Sequence, residues 1–433
     1  MQEEQDGQEG AVKASEIVEL VRVARPDPPY GVRALARCFD IEDLAGLARR
    51  RLPAGALGYL EGGGEGEWTL RHNREAFDQI EIVPRVLRDV SHVETATTVL
   101  GSQVPFPIVL SPVGAPRMLH YEGELAVARA ARHARIPYAI STLATQPLEA
   151  VAAEADGNPL WFQLYVWGDR GAAKELVARA HAAGFRALLL SVDTTVRSER
   201  DRELHRGIVL PSPELTFSTV VDGARHPRWA WHFLSSPAIG FPNLSTNSAK
   251  SRSRMEEMFD GTVSWRDLEW IRAAWPGPVA LKGVVNAEVA RRAAGEGVDA
   301  VIVSNHGGRQ LDHIPATIEV LREVVDAAAG RLEVLVDSGI RRGSDIMIAL
   351  ALGARAVLVG RAHLYGLAAA GEPGVRHAID ILANELRMSM ALSGVNRLDE
   401  LNPDLLRFRP AAGQIPKEGD GQALATASVR SSS

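Results

Sequence analysis

The stretch A-V-I-V-S-N-H-G-G-R, Ala300 to Arg309, joins a short apolar run to a burst of polar residues. Four apolar residues in a row, most of them β-branched, suit a strand buried on both faces. Seven other runs share the form: P-I-V-L-S (107–111), Y-A-I-S (138–141), L-W-F-Q-L-Y (160–165), A-L-L-L-S-V (187–192), V-A-L-K-G (279–283), E-V-L-V-D (333–337) and A-V-L-V-G (356–360). Amphipathic helical patterns separate most of them. Ala172 to Ala183 is one, closed by Gly184, and Arg342 to Leu352 is another, closed by Gly353. Eight strand–helix units predict an α/β fold, a single-domain (β/α)8 TIM barrel. A doubly wound sheet would need a Gly-rich fingerprint after its first strand, and S-P-V-G-A-P after Leu110 is not one.

One interval breaks the rhythm. Residues 193–278 separate the fourth run from the fifth, against roughly 30 residues for a whole strand–helix–strand unit. The excess falls at 209–261, a long insertion after strand 4 that holds R-H-P-R-W-A-W-H-F-L and the polar S-T-N-S-A-K-S-R-S-R. In a barrel, such a loop sits at the catalytic mouth. Its length fits a lid, a binding loop or a disordered segment. Residues 36–410 are expected to form the barrel domain, 1–35 a disordered or extended N-terminal segment, and 411–433 a flexible tail.

Composition narrows the function. The chain carries 48 Lys and Arg against 54 Asp and Glu, a net charge of -6. With no long basic block, it gives no reason to expect a nucleic-acid partner. Cys38 is the single cysteine, so no internal disulfide forms and a reducing, cytoplasmic setting fits. No apolar stretch reaches the ~20 residues needed to span a bilayer. The acidic N-terminus lacks the basic and apolar regions of a signal peptide.

Barrel chemistry gathers at the C-terminal ends of the strands. There the sequence places Gln163 and Tyr165, then Ser191, Asp193 and Arg200, then Lys282, then Ser304, His306 and Arg309. Strands seven and eight end in Asp337, Ser338, Gly339 and Arg341, and in Gly360 and Arg361. Small residues and arginines just before helices favour a phosphate, because free backbone N–H groups point there. Lys282, ending a buried strand, either forms a Schiff base, stabilises an anion or makes a structural ion pair. His306 suits proton transfer near neutral pH. Arg309 and Arg200 suit a carboxylate, and Asp193 suits orienting the imidazole. No metal is expected.

These residues carry a resemblance. S-N-H-G-G-R-Q-L-D, L-K-G-V, W-F-Q-L-Y-V, D-S-G-I-R-R-G-S-D and A-L-A-L-G-A-R-A-V-L-V-G-R resemble the FMN-dependent 2-hydroxy-acid dehydrogenase/oxidase family, from about residue 40 to 402. The resemblance implies FMN as cofactor and oxidation of an L-2-hydroxy acid to the 2-oxo acid. It makes His306 the base with Asp193 its partner, Arg309 and Arg200 the carboxylate clamp, and Tyr59 and Tyr165 the active-site tyrosines. Lys282, Val113, Gly114, Thr142, Gln163, Ser191 and Ser304 are implied at the flavin. Asp337 to Arg341, with Gly360 and Arg361, are implied at its ribityl and phosphate end.

Departures within the family refine the expectation. Val113 stands where many members have Thr, and Gly114 where oxidases have Ala, so a methyl is missing beside the flavin. The D-S-G form and H-P-R-W-A-W resemble the quinone-linked lactate and mandelate dehydrogenases. The expected electron acceptor is a quinone, the alternative being dioxygen in an oxidase or monooxygenase. Residues 225–244, with Trp229, Trp231, Phe233 and Leu234, are expected to contact the inner face of the plasma membrane, to cover the site as a lid, or to meet another subunit. The resemblance also implies a homotetramer. Leu143 stands where glycolate oxidase has a bulky aromatic, which implies a substrate larger than glycolate.

Overall fold

A computed structural model describes residues 32–206, 216–244 and 259–409. Eight parallel strands close into a barrel: β1 (Ile108–Leu110), β2 (Tyr138–Ser141), β3 (Leu160–Leu164), β4 (Ala187–Ser191), β5 (Val279–Val284), β6 (Ala300–Val303), β7 (Glu333–Val336) and β8 (Ala356–Val359). Each lies within the apolar run that predicts it or overruns it by one residue. The helix Arg170–Ala182 starts two residues earlier than its sequence pattern, because the Asp169 side chain caps it by accepting from the Ala172 N–H. Gly184 and Gly353, just beyond their helices, take φ of +86° and +104°, a conformation in which Gly pays no Cβ penalty.

Strand alternation divides the core in two. Outward residues such as Ile108, Leu110, Leu188, Leu190, Val334 and Val336 pack under the helices. Inward residues Val109, Ala139, Trp161, Ala187, Leu189, Ala280, Ile302, Leu335 and Leu358 fill the barrel. The antiparallel hairpin Thr97–Val99 and Ser102–Val104 adds Val99, Leu100 and Val104 to that interior cluster, closing the barrel against solvent.

Side chains on a strand alternate faces with period two. The next inward position after each apolar one is Ser111, Ser141, Gln163, Ser191, Lys282, Ser304, Asp337 and Gly360. The interior thus changes from apolar to polar or small in one layer, on all eight strands, at their C-terminal ends. Register places the partners side by side, with Ser141 opposite Gln163 and Ser191 opposite Lys282.

The interval after β4 contains ordered helices: Asp201–His205, Phe217–Arg225, Pro227–Ser235 and Asp267–Ala274. The expected insertion lies outside the described residues at 209–215 and 245–258. In place of the expected disordered or extended segment ending at residue 35, Val32–Leu35 is helical. Residues 1–31 and 410–433 lie outside the described residues.

Candidate active site

The polar layer floors a cavity of about 650 Å³, within the range of small-molecule sites. Hydrogen bonds connect the layer laterally. Gln163 accepts from Ser141 Oγ at 3.0 Å and donates to Ser191 Oγ at 3.0 Å. Lys282 Nζ donates to Ser304 Oγ at 2.8 Å and pairs with Asp337 Oδ2 at 2.8 Å. Both partners of that pair are buried. Lys282 is therefore held as a hydrogen-bond donor beside the cavity, and its carboxylate partner comes from the end of β7.

His306 follows β6 with φ +58° and is succeeded by Gly307 and Gly308, also at positive φ. This left-handed run turns the chain sharply and aims the imidazole back over the cavity. Asp193 Oδ2 and Oδ1 lie 3.1 and 3.3 Å from His306 Nδ1. A carboxylate there selects the tautomer protonated on Nδ1, which leaves the Nε2 lone pair facing the cavity. Burial would raise the Asp193 pKa, but the His306 charge and hydrogen bond and the Lys282 charge hold it below the ordinary value. The carboxylate therefore stays ionised. Tyr165 Oη lies 3.4 Å from Nε2. Tyr59 Oη donates to the Gly114 carbonyl at 2.8 Å. Burial raises both phenols, so both remain protonated donors.

The position of Asp193 depends on a glycine. At Gly283 β5 carries a register irregularity with φ +108°, and a Cβ there would lie 2.6 Å from Asp193 Cγ. No L side chain fits without moving the Asp193–His306 pair. Gly283→Ala is expected to lower kcat by at least about tenfold, since a misplaced orienting carboxylate weakens a general base. Steady-state kinetics on folded protein checks this; unchanged kcat would show that the pair tolerates the shift.

Arg309 and Arg200 lie on the same side of the cavity as His306, and both line it. Arg309 Nη1 donates to the carbonyls of Tyr59 (2.9 Å) and Gly62 (2.7 Å). Arg200 Nε donates to the Arg309 carbonyl at 3.2 Å. Between them lies a residue that the sequence did not single out: Glu203 Oε1 is 2.6 Å from Arg309 Nη2 and 3.5 Å from Arg200 Nη1.

Arg341 and Arg361 stand at the strand seven and eight end, as expected. Arg361 donates to the carbonyls of Leu60, Gly307 and Gly62 at 3.1, 2.9 and 2.8 Å. Its pKa is pushed down to about 9 by burial and by the neighbouring Arg309 and Arg341 charges. Burial also lowers Arg341, whose Nη1 donates to the Ile340 carbonyl at 2.7 Å. Among the described residues no carboxylate makes an ion pair with either. Two half-buried cations without an ion-paired carboxylate among the described residues, beside Ser338, Gly339 and Gly360 in the cavity wall, fit a doubly charged phosphate.

Other expected residues take less direct places. Thr142 Oγ1 donates to the Gln163 carbonyl and accepts from the Tyr165 N–H, so it ties β2 to β3 and does not line the cavity. Ser304 Oγ accepts from Lys282 and does not line the cavity. Val113, Gly114 and Leu143 form one wall. The methyl missing at Gly114 leaves no open space, since a Cβ would meet Leu143 Cβ at 3.1 Å and Tyr59 Oη at 3.3 Å. Ser141 joins the polar layer and was not foreseen, although the period-two alternation marks it.

The helix Pro227–Ser235 corrects one expectation. Trp229 faces inward, donates to the Met118 carbonyl at 2.9 Å and stacks on Phe233 at 4.8 Å. It is a fastening and not an outward anchor. Trp231 and Leu234 are 70% and 80% exposed, and Phe233 is partly so. No described helix is long and apolar enough to cross a membrane.

The FMN-dependent dehydrogenase family matches residues 48–408 of the chain. An L-lactate dehydrogenase of Caulobacter vibrioides is 41% identical over 382 residues, covering 86% of this chain and 98% of that protein. The crystal structure of the monotopic membrane protein (S)-mandelate dehydrogenase is similar with a TM-score of 0.83 at 39% identity, covering 86% of this chain and all of that one. A mandelate oxidase crystallised with benzoyl-formic acid gives 0.73 at 38% identity, with 86% and 98% covered.

Proposed function

The chain belongs to the FMN-dependent dehydrogenase family, and from that premise we propose how its residues divide the work. It is an FMN-dependent enzyme that oxidises an L-2-hydroxy acid to the 2-oxo acid. The observation that carries the residue assignment is a cavity with two arginine ends: Arg341 and Arg361, half-buried and without an ion-paired carboxylate among the described residues, at one, and an imidazole with two further arginines at the other. When bound, FMN supplies the two-electron acceptor. Arg341 and Arg361 would hold its phosphate, and Lys282, Gln163 and Ser191 would face its ring.

Arg309 and Arg200 hold the substrate carboxylate. This fixes the α-carbon and its hydroxyl under His306. His306 Nε2 takes a proton, from the hydroxyl or from the α-carbon, and Asp193 stabilises the resulting imidazolium. Tyr165 supplies a hydroxyl donor toward the substrate oxygens, and Tyr59 would supply a second by giving up its bond to the Gly114 carbonyl. Lys282 places positive charge where electron density arrives. Leu143, Val113, Leu204 and Phe259 line the remaining wall, which suits a lactate- to mandelate-sized side chain.

For the acceptor, a membrane quinone is the reading that the surface supports. Trp231, Phe233 and Leu234 on the helix Pro227–Ser235, with Phe217 and Val220 on the preceding helix, expose apolar groups at 70%, 44%, 80%, 85% and 58%. Arg225 and Arg228 lie in the same segment. Such a basic, aromatic-rich surface suits an interface with anionic lipid. The relative described as a monotopic membrane protein favours this over a lid. The wild-type holoenzyme is expected to co-sediment with anionic vesicles and to reduce a soluble quinone faster than it forms peroxide. Replacing Trp231 and Leu234 together by Ser should release it from vesicles and leave quinone reduction in solution intact. Failure of the wild type to bind vesicles, or peroxide as the main product, would replace this reading with a soluble oxidase.

A further inference from the structure

The arginines assigned to the substrate carboxylate already hold a carboxylate of the chain itself. Glu203 lies on the helix Asp201–His205, is nearly buried, and faces the cavity. Its Oε1 is 2.6 Å from Arg309 Nη2 and 3.5 Å from Arg200 Nη1. Some of the other donors are committed too. Arg309 Nη1 is taken by the Tyr59 and Gly62 carbonyls, and Arg200 Nε and Nη2 by the Arg309 carbonyl and Gln310 Oε1. A guanidinium has five N–H donors in a fixed fork, and three on each arginine are engaged, so a carboxylate that takes the Arg309 Nη2 edge must share it with Glu203 or displace it. It also meets the Glu203 carboxylate, which at 7% exposure is weakly screened.

We propose that Glu203 is an internal competitor for Arg309 and Arg200 that sets the affinity of the site for carboxylates. The inference rests on the assignment of those two arginines above. Substrate and product carry the same carboxylate, so a tighter clamp would hold both equally. Binding substrate, transition state and product alike does not raise kcat. A carboxylate that returns to the fork loosens the 2-oxo acid and favours its release.

The test is titration of the anaerobic holoenzyme with oxalate, a dianion without an oxidisable C–H bond, followed by perturbation of the flavin spectrum. Glu203→Gln keeps the shape and removes the charge. It is expected to bind oxalate about tenfold more tightly or better, a gain of roughly 1.4 kcal/mol or more. Product inhibition by the 2-oxo acid should strengthen by a similar factor. Glu203→Asp keeps the charge on a shorter arm and should stay closer to the wild type. Retained flavin colour and an unchanged unfolding midpoint establish that each variant is folded. Unchanged or weaker oxalate binding in a folded Glu203→Gln would overturn the proposal. Arg309→Lys separates the two levels: if it leaves oxalate binding unchanged, the carboxylate assignment itself fails, whereas if only Glu203→Gln is silent, the clamp stands and the competitor falls.

Discussion

His306→Ala is expected to bind FMN and remain yellow while its rate of reduction by an L-2-hydroxy acid falls by roughly 10²–10⁴-fold, the usual contribution of a positioned general base. The expectation comes from geometry. Nδ1 is engaged by Asp193 at 3.1 Å, so Nε2 is the nitrogen that can accept a proton from a substrate in the cavity. The side chain makes no contact with Arg341 or Arg361 among the hydrogen bonds described, so flavin affinity should not depend on it. Asp193→Asn should give a smaller loss, because the imidazole survives while its tautomer preference and charge stabilisation do not. Anaerobic stopped-flow absorbance on flavin-loaded protein measures both. A His306→Ala variant that reduces at the wild-type rate would remove the imidazole from the chemistry.

Arg309→Ala is expected to lower kcat/KM by about 2–5 kcal/mol in transition-state terms, the cost of removing one partner of a desolvated charge pair. The side chain is 15% exposed and already anchored by two backbone carbonyls and Glu203, so its fork is pre-organised and cannot be replaced by a mobile cation. Substitution by Ala also leaves Glu203 without its closest cation, and the remaining carboxylate repels an anionic substrate. The loss should therefore exceed that of Arg200→Ala, whose contact to Glu203 is 3.5 Å. Steady-state kinetics against substrate concentration resolves it. Equal losses at the two positions, or a loss confined to a neutral substrate analogue, would contradict the assigned clamp.

Most of the architecture was readable because buried parallel strands must be apolar on both faces. A-V-I-V and A-L-L-L therefore mark their own ends, and the polar residues just beyond them mark the mouth. His306, Arg309, Lys282, Arg341 and Arg361 were visible for that reason: charged groups directly after buried strands need a purpose. Ser141 is readable by alternation, since it falls two residues after the inward Ala139. The Lys282–Asp337 pair joins β5 to β7, and nothing local predicts which acid meets that lysine. Glu203 sits in R-S-E-R-D-R-E-L, where Glu199, Asp201 and Glu203 are alike in composition. Only the helix Asp201–His205 turns one of them onto Arg309. Trp229 and Phe233 are four residues apart, so a helical reading of the insertion would have paired them. The helix Pro227–Ser235 is what turns Trp229 inward.

The central claim is that one cavity places a flavin between the Arg341–Arg361 end and the His306–Arg309–Arg200 end. Anaerobic mixing of the FMN-loaded wild type with L- and D-lactate and L- and D-mandelate tests it most directly. At least one L-2-hydroxy acid should bleach the visible flavin absorbance and yield one equivalent of 2-oxo acid, while its D enantiomer leaves the colour unchanged. A protein that holds FMN yet is bleached by none of these acids, or equally by both enantiomers, would contradict the account.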